Sequence, residues 1–322
     1  MSSVFPSSIP HLSSNLTEEV RSENRKDFRA GYVAIVGAPN AGKSTLMNAF
    51  LGQKLSIVSN KPQTTRHRIM GILTRETFQI IFQDTPGLLD PKYKLHEAMM
   101  RAAQRSIDDA DAILYLVDVT TQGESAIKDY QIGVEKLKNS SAPVYLVLNK
   151  TDLSSDEVLK AKMTSLGQGL TYAGFFAISA LQKQGTDQLL NEIGAKLPPH
   201  PAYYPPDYFT DHPERFFVSE IVREKIFEQF LQEIPYSASV DIVEFKEVEG
   251  EKDLIQAEIY VERPTQKGIL IGKKGAGIKK LGEAARKDIQ AFLGRSVRLE
   301  LHVKVREQWR EDKEWIKRLG YE

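Results

Sequence analysis

The chain has no cysteine, so neither a disulfide framework nor a thiolate-held metal can stabilise it or carry its chemistry. No apolar run approaches the roughly 20 residues that a membrane-spanning helix needs. Histidine is scarce: the six are scattered without metal-ligand spacing, and only His67 falls inside a motif, where a surface position is expected. Charge of one sign is also missing. The 43 Lys and Arg balance 43 Asp and Glu, which argues against a globally basic nucleic-acid coat. What remains is 322 residues, enough for about two domains with buried cores. The missing thiols fit a reducing compartment, and the expected location is the cytoplasm. Residues 1–29 are rich in Ser and charge without periodicity and read as a disordered extension. Glu18, Glu19 and Glu23 set them apart from acid-poor organelle-targeting segments.

Against these absences stands Gly37-Ala38-Pro39-Asn40-Ala41-Gly42-Lys43-Ser44, directly after the apolar run 32–36 and directly before a helix-like run starting at Thr45. Strand, glycine-rich turn and helix are the context a phosphate-binding P-loop requires. The glycines let backbone N–H groups wrap a polyphosphate, and the helix presents its positive end to it. Lys43 would reach the β- and γ-phosphates and Ser44 would hold Mg²⁺. The plainer alternative is a glycine turn that binds nothing.

Two later segments decide the base and the reaction. A strand over 77–83 ends in Asp84-Thr85-Pro86-Gly87. There Asp84 can hold the magnesium shell through water, and the Gly87 N–H can meet the γ-phosphate unobstructed. Turn chemistry alone would also explain these residues, but not their position after a P-loop and a strand. A second buried run, 144–148, leads into Asn149-Lys150-Thr151-Asp152. The Asp152 carboxylate can accept from the N1–H and exocyclic amine of guanine, a pair of donors adenine lacks, while the Lys150 stem packs along the base. Strand 175–178 then runs into Ser179-Ala180, whose Ala180 N–H could touch the guanine carbonyl. Between the first helix and Asp84 lies Gln63-Thr64-Thr65-Arg66-His67-Arg68. Either threonine could complete the Mg²⁺ shell when the γ-phosphate is present; Thr65 is the favoured one.

The C-terminal part has its own signature. From Arg263 to Arg306 there are twelve Lys or Arg against three Asp or Glu, a local basic footprint. Inside it lies Gly272-Lys273-Lys274-Gly275, matching the GxxG loop of a KH domain between two helical stretches. Gly272 and Gly275 would let two helix ends approach a nucleic-acid backbone, with Lys273, Lys274, Lys279, Lys280 and Arg286 meeting phosphates. The expected order is helix 219–231, strands 239–247 and 254–261, a helix before Gly272, helix 276–293 and strand 297–305. The Pro-rich run 198–207 reads as a semi-rigid connector, with Tyr203, Tyr204, Tyr208 and Phe209 packing on one domain. The tail 307–320 reads as a short charged helix packed on the KH body, its apolar stripe being Trp309, Trp315, Ile316 and Leu319.

With Lys61-Pro62-Gln63-Thr64-Thr65-Arg66-His67-Arg68, the guanine motifs and the KH loop together, the chain resembles the Era family of ribosome-assembly GTPases over residues 31–321. The resemblance implies a GTP-hydrolysing switch. Its GTP form would clamp the 3′ end of 16S ribosomal RNA and act on the 30S precursor, as a monomer, with peripheral inner-membrane association to which the tail could contribute. Leu88 replaces a water-orienting Gln, so intrinsic hydrolysis should be slow. In GTPases of that kind an Asn at the Asn40 position accompanies K⁺ binding. The expected architecture is an α/β P-loop GTPase domain (30–197; mostly parallel sheet, helices on both faces), a linker (198–215) and an α+β type II KH domain (216–322). The competing function is an RNA-binding scaffold whose nucleotide domain is structural.

Overall fold

The computed structural model describes residues 27–59, 61–167, 169–248 and 250–321. Nearly all of the extension expected over residues 1–29 lies outside them.

Strands β1 (Arg29–Gly37), β2 (Ile69–Thr74), β3 (Phe78–Asp84), β4 (Ala112–Asp118), β5 (Val144–Asn149) and β6 (Gly174–Ile178) form one sheet, ordered β2-β3-β1-β4-β5-β6. Only β2, at the edge, is antiparallel to its neighbour. Strands β3 and β5 are buried at every position, as parallel strands covered on both faces must be, whereas edge strand β6 alternates. Period-two alternation along β1 sends Val33 and Ile35 into one core and Ala34 and Val36 into another. The first core is closed by α1 (Lys43–Leu51) and α5 (Thr186–Lys196), and the second by α2 (Lys94–Asp108) and α3 (Gly123–Leu137). Helix α4 (Asp156–Leu166) flanks β6.

The second unit comprises α6 (Glu214–Gln229), α7 (Ile234–Ser237), β7 (Ser239–Lys246), β8 (Asp253–Val261), α8 (Pro264–Ile271), α9 (Ala276–Leu293) and β9 (Val297–Val305). Its sheet is β7-β8-β9, antiparallel then parallel. Helices α6, α8 and α9 cover one face around a core of Val222, Ile226, Ile255, Ile259, Leu281 and Ile289. Helix α6 starts five residues before the expected 219, because Pro213 ends the connector and suits a helix start.

The connector is no free spacer. Gln79 accepts from the Tyr203 and Tyr204 amides (2.7 and 3.0 Å) and donates to the Tyr204 carbonyl, Tyr203 lies on Tyr32, and the Ile72 amide donates to the Phe209 carbonyl. Residues 203–209 are thus lashed along β2 and β3 of the first unit.

The tail departs from expectation. It forms a short 3₁₀ turn (Trp309–Glu311) and helix α10 (Lys313–Arg318), and docks chiefly on the first unit. Trp309, Ile316 and Tyr321 join the core that contains Leu88, Leu95 and Met99, while Trp309 Nε1 donates to the Ser237 carbonyl of the second unit (2.9 Å). The physical reason is area: the α2 face offers an apolar socket large enough to bury the whole Trp309 ring. With Leu319 packed against the same core and Trp315 between Arg306 and Arg318, the stripe is occupied inside the molecule. Among the described residues no helix is long and apolar enough to cross a membrane.

Trp309→Ala should lower the unfolding free energy by about 3–5 kcal/mol, the usual cost of emptying such a socket. Trp315→Ala should cost less than half as much; denaturant titration followed by circular dichroism measures both.

Candidate functional site

The turn after β1 is shaped by backbone that tolerates no side chain. Gly37 has φ +152°, and a Cβ there would sit 2.3 Å from the Leu116 carbonyl oxygen; Gly42 has φ +98°, and a Cβ would meet Asn149 at 2.1 Å. Asn40, exposed at the tip, is left-handed at φ 63°. Lys43 opens α1 with its ammonium buried under this turn, donating to the carbonyls of Gly37 (3.2 Å) and Ala38 (2.9 Å). Burial pulls its pKa down to about 8, against the attraction of Asp84.

Beside it three oxygens converge. Ser44 Oγ lies 2.8 Å from Thr65 Oγ1 and donates to Asp84 Oδ2 at 2.6 Å. Asp84 Oδ1 is buried and accepts no hydrogen bond of ordinary geometry among the described residues. Burial raises the Asp84 carboxyl above the usual range, with Ser44 and Lys43 pulling the other way. An orphaned carboxylate oxygen among hydroxyls is a donor set that fits a hard divalent cation such as Mg²⁺. Both threonines line the cleft, but the Thr64 hydroxyl donates to the Lys61 carbonyl, whereas that of Thr65 meets Ser44.

Pro39, Asn40, Gly42, Lys43, Ser44, Thr45, Thr65, Gly87 and Lys150 line one cleft of about 310 Å³. Gly87 is required there sterically, since a Cβ would lie 2.7 Å from the Pro39 nitrogen. Thr85 turns inward, donating to the Ile35 carbonyl (2.8 Å), and with Pro86 lies beside the cleft, not on its wall. Leu88 leaves the site altogether: its amide donates to the Gly37 carbonyl and its side chain is buried against α2. Leu88, counted from sequence among the residues around the phosphates, thus brings no side chain to the cleft, because an apolar side chain gains more in that core than in a polar cleft. The sequence reading missed Ile57, Val58 and Ser59, which roof the cleft.

Asn149 ends β5 and ties two loops together: its Nδ2 donates to the Ala41 carbonyl (2.8 Å) and its Oδ1 accepts from the Ala180 amide (3.0 Å). The Ala180 N–H expected to point at a base carbonyl is thereby directed to Asn149. Lys150, left-handed at φ 67°, donates to Asp118 Oδ2 (2.6 Å), which fixes its stem over the cleft. Asp152 is exposed in a 3₁₀ turn with Thr151 and does not line the cleft, and Ser179 is buried just after β6.

In the second unit, Gly272, Lys273, Lys274 and Gly275 join α8 to α9 with both lysines exposed. At Gly272, φ +70°, a Cβ would lie 2.8 Å from the Gly277 nitrogen, so this glycine lets the end of α8 meet the start of α9. Gly275 takes φ +80°, and nothing in the protein lies within 4 Å of its Cβ position, which leaves that side of the loop open. Gly277 is the second contact glycine, 2.6 Å from the Leu270 carbonyl oxygen. Next to this loop a groove of about 510 Å³ runs between α9 and β9, walled by Lys279, Gly282, Arg286, Leu299 and Leu301. Lys252 and Arg298 extend its basic rim and were missed, being distant from the loop in sequence. Lys280 is exposed on α9 but does not line the groove. Cations on the rim over apolar walls suit a single-stranded nucleic acid.

A P-loop nucleotide domain joined to a KH domain is therefore the class that fold and sites define. Family models agree, a 50S ribosome-binding GTPase model matching residues 32–150 and a KH model residues 233–310. GTPase Era of Clostridium perfringens is 44% identical over 91% of this chain and 98% of its own. "GTPase ERA1, chloroplastic" of Zea mays is 46% identical over 95% of this chain and 73% of its own. The crystal structure of a single-residue variant of Aquifex aeolicus Era bound to GDP·AlF₄⁻ superposes with a TM-score of 0.86 at 39% identity, covering 91% and 99% of the two chains. A crystal structure of Era with MgGDPNP and nucleotides 1506–1542 of 16S ribosomal RNA matches equally well. The chain belongs to the Era family of GTPases.

Asn149→Ala would leave a buried carbonyl and amide unpaired, at about 1–3 kcal/mol. GDP affinity measured by calorimetry should fall roughly tenfold to a hundredfold, with the fold intact by circular dichroism.

Proposed function

We propose that this chain is a GTP-hydrolysing switch that binds the 3′ end of small-subunit ribosomal RNA and acts on the 30S precursor during its assembly. The observation that carries the reading is the convergence of Ser44, Thr65 and Asp84 beside the buried ammonium of Lys43. The guanine-type motif at the rim of the cleft and a separate basic groove on the same chain support it. So does the relative crystallised with both MgGDPNP and 16S ribosomal RNA.

In this reading the backbone around Pro39–Ser44, with Lys43, holds the β- and γ-phosphates, and Asp152, with Lys150 and Asn149 behind it, selects guanine. Ser44, Thr65 and, through water, Asp84 hold Mg²⁺. That ion, when bound, would supply positive charge to the phosphate oxygens and to the departing GDP. The Gly87 amide faces the γ-phosphate. With Leu88 buried, no side chain of that segment orients the attacking water, so turnover rests on electrostatics and positioning and is slow. Asn40, exposed at the P-loop tip, would hold K⁺, which would add positive charge beside the phosphates. Gly272, Lys273, Lys274, Gly275, Lys279, Lys280 and Arg286 hold the RNA, joined by Lys252 and Arg298. We divide the chain as 30–197 for the GTPase domain, 198–215 for the connector and 216–322 for the KH domain with its tail, acting as a monomer. It works wherever bacterial-type small subunits mature, the bacterial cytosol or a plastid.

Affinity for a 3′-end RNA should differ at least fivefold between the Mg²⁺–GTP-analogue form and the GDP form, about the lower bound of ordinary coupling. Equal affinities in a fluorescence-anisotropy titration would leave a scaffold. Hydrolysis should run several-fold faster in K⁺ than in Na⁺, a gain that Asn40→Ala abolishes; equal rates would remove Asn40 from the mechanism.

A further inference from the structure

Thr65 and Arg66 are neighbours whose side chains serve different domains. Thr65 Oγ1 meets Ser44 at the nucleotide site. The Arg66 guanidinium is buried in the second domain, donating to the carbonyls of Pro235 (2.9 Å), Tyr236 (2.9 Å) and Ala238 (2.8 Å). These carbonyls belong to the C-terminal end of α7, where a helix leaves carbonyls unpaired and favours a cation. The same loop is held at both ends. Lys61 Nζ donates to the carbonyls of Phe227 and Phe230 at the end of α6, and His67 stacks on Tyr321 (4.3 Å) beside the Gly320 carbonyl. Consecutive Cα atoms are about 3.8 Å apart and the Arg66 side chain is buried, so a Thr65 that leaves Ser44 must draw on the slack of that packed side chain or unseat it.

We propose that Arg66 is a positioning residue for the nucleotide site: by fixing the peptide beside Thr65 to the α7 carbonyls, it makes the KH domain part of the device that senses the γ-phosphate. The inference rests on the reading of Thr65 as the Mg²⁺-loop hydroxyl. A Thr65 drawn to a γ-phosphate-bound ion pulls on α7, and an α7 displaced by RNA loosens Thr65. Linkage makes the two effects reciprocal in free energy. GDP lacks the γ-phosphate and has no use for the anchor. A planar fork seated on three carbonyls is not reproduced by an ammonium, so Arg66→Lys should be intermediate.

The test is calorimetry of a non-hydrolysable GTP analogue and of GDP, both with Mg²⁺, on the full chain and on the Arg66→Ala, Arg66→Lys and Thr65→Ala variants. The expected result is a roughly tenfold loss of analogue affinity in Arg66→Ala, within the usual range of coupling, a smaller loss in Arg66→Lys and less than twofold change for GDP. Equal losses for both nucleotides, or none, in the arginine variants overturn the proposal. If Thr65→Ala abolishes the preference for the analogue and Arg66→Ala does not, the anchor alone is wrong. If Thr65→Ala is also silent, the reading of the loop falls with it. A second readout does not need Arg66→Ala to fold. Trp309 donates to the Ser237 carbonyl between the Arg66 acceptors, and with Trp315→Phe it is the sole tryptophan. Its emission should shift between GDP and analogue, and less so with Arg66→Lys; identical spectra in the two nucleotides overturn the proposal.

Discussion

Burying the ammonium of Lys43 is the constraint on which the nucleotide half is built. A cation removed from water needs anionic or dipolar company, and here the turn supplies two carbonyls that only partly compensate, which is why the pKa falls. The turn can offer those carbonyls only because Gly37 and Gly42 take conformations closed to other residues. It is held in that shape by Asn149, from a strand much later in the chain, and by Gly87, pressed against Pro39. A buried, under-compensated cation predisposes the cleft toward anions, and a polyphosphate is the anion whose shape the turn matches.

Much of this was legible because the motifs are contiguous. The P-loop, the Asp84 turn and the Asn149–Asp152 turn each follow a buried strand, and parallel pairing delivers strand ends to one edge of the sheet. The spans of α9 and β9 read from the sequence coincide with those observed. What escaped was set by contacts between residues far apart in sequence. Leu88 looked like a site residue by position, yet it is claimed by the α2 core. Ala180 looked free for a base, yet Asn149 takes its amide, an encounter across 31 residues. The tail could not be placed because its socket lies on α2, in the other half of the chain. Gly277, outside the loop motif, packs against the Leu270 carbonyl, a contact between helix ends that the pattern alone does not show.

The KH half shows how a neutral protein handles a charged polymer. Its basic residues are concentrated on the loop and the α9–β9 groove, while other cations are neutralised internally. Lys225 is paired with Asp288 and Glu228, and Arg295 with Glu214 and Asp253. At the groove Lys252, Lys279, Arg286 and Arg298 outnumber Glu283 and the Glu300 paired with Arg298, so that face is net basic although the chain as a whole carries no net charge. Salt should weaken contact there one phosphate at a time.

The lashing of residues 203–209 along the first sheet has a bearing on what each half can do alone. Strand β2 is an outer strand, and the Phe209 carbonyl occupies its Ile72 amide. Outer strands with open amides recruit foreign chains, so the joining segment doubles as a guard rail against self-association. A nucleotide domain cut off at residue 197 would keep its cleft but shed that rail.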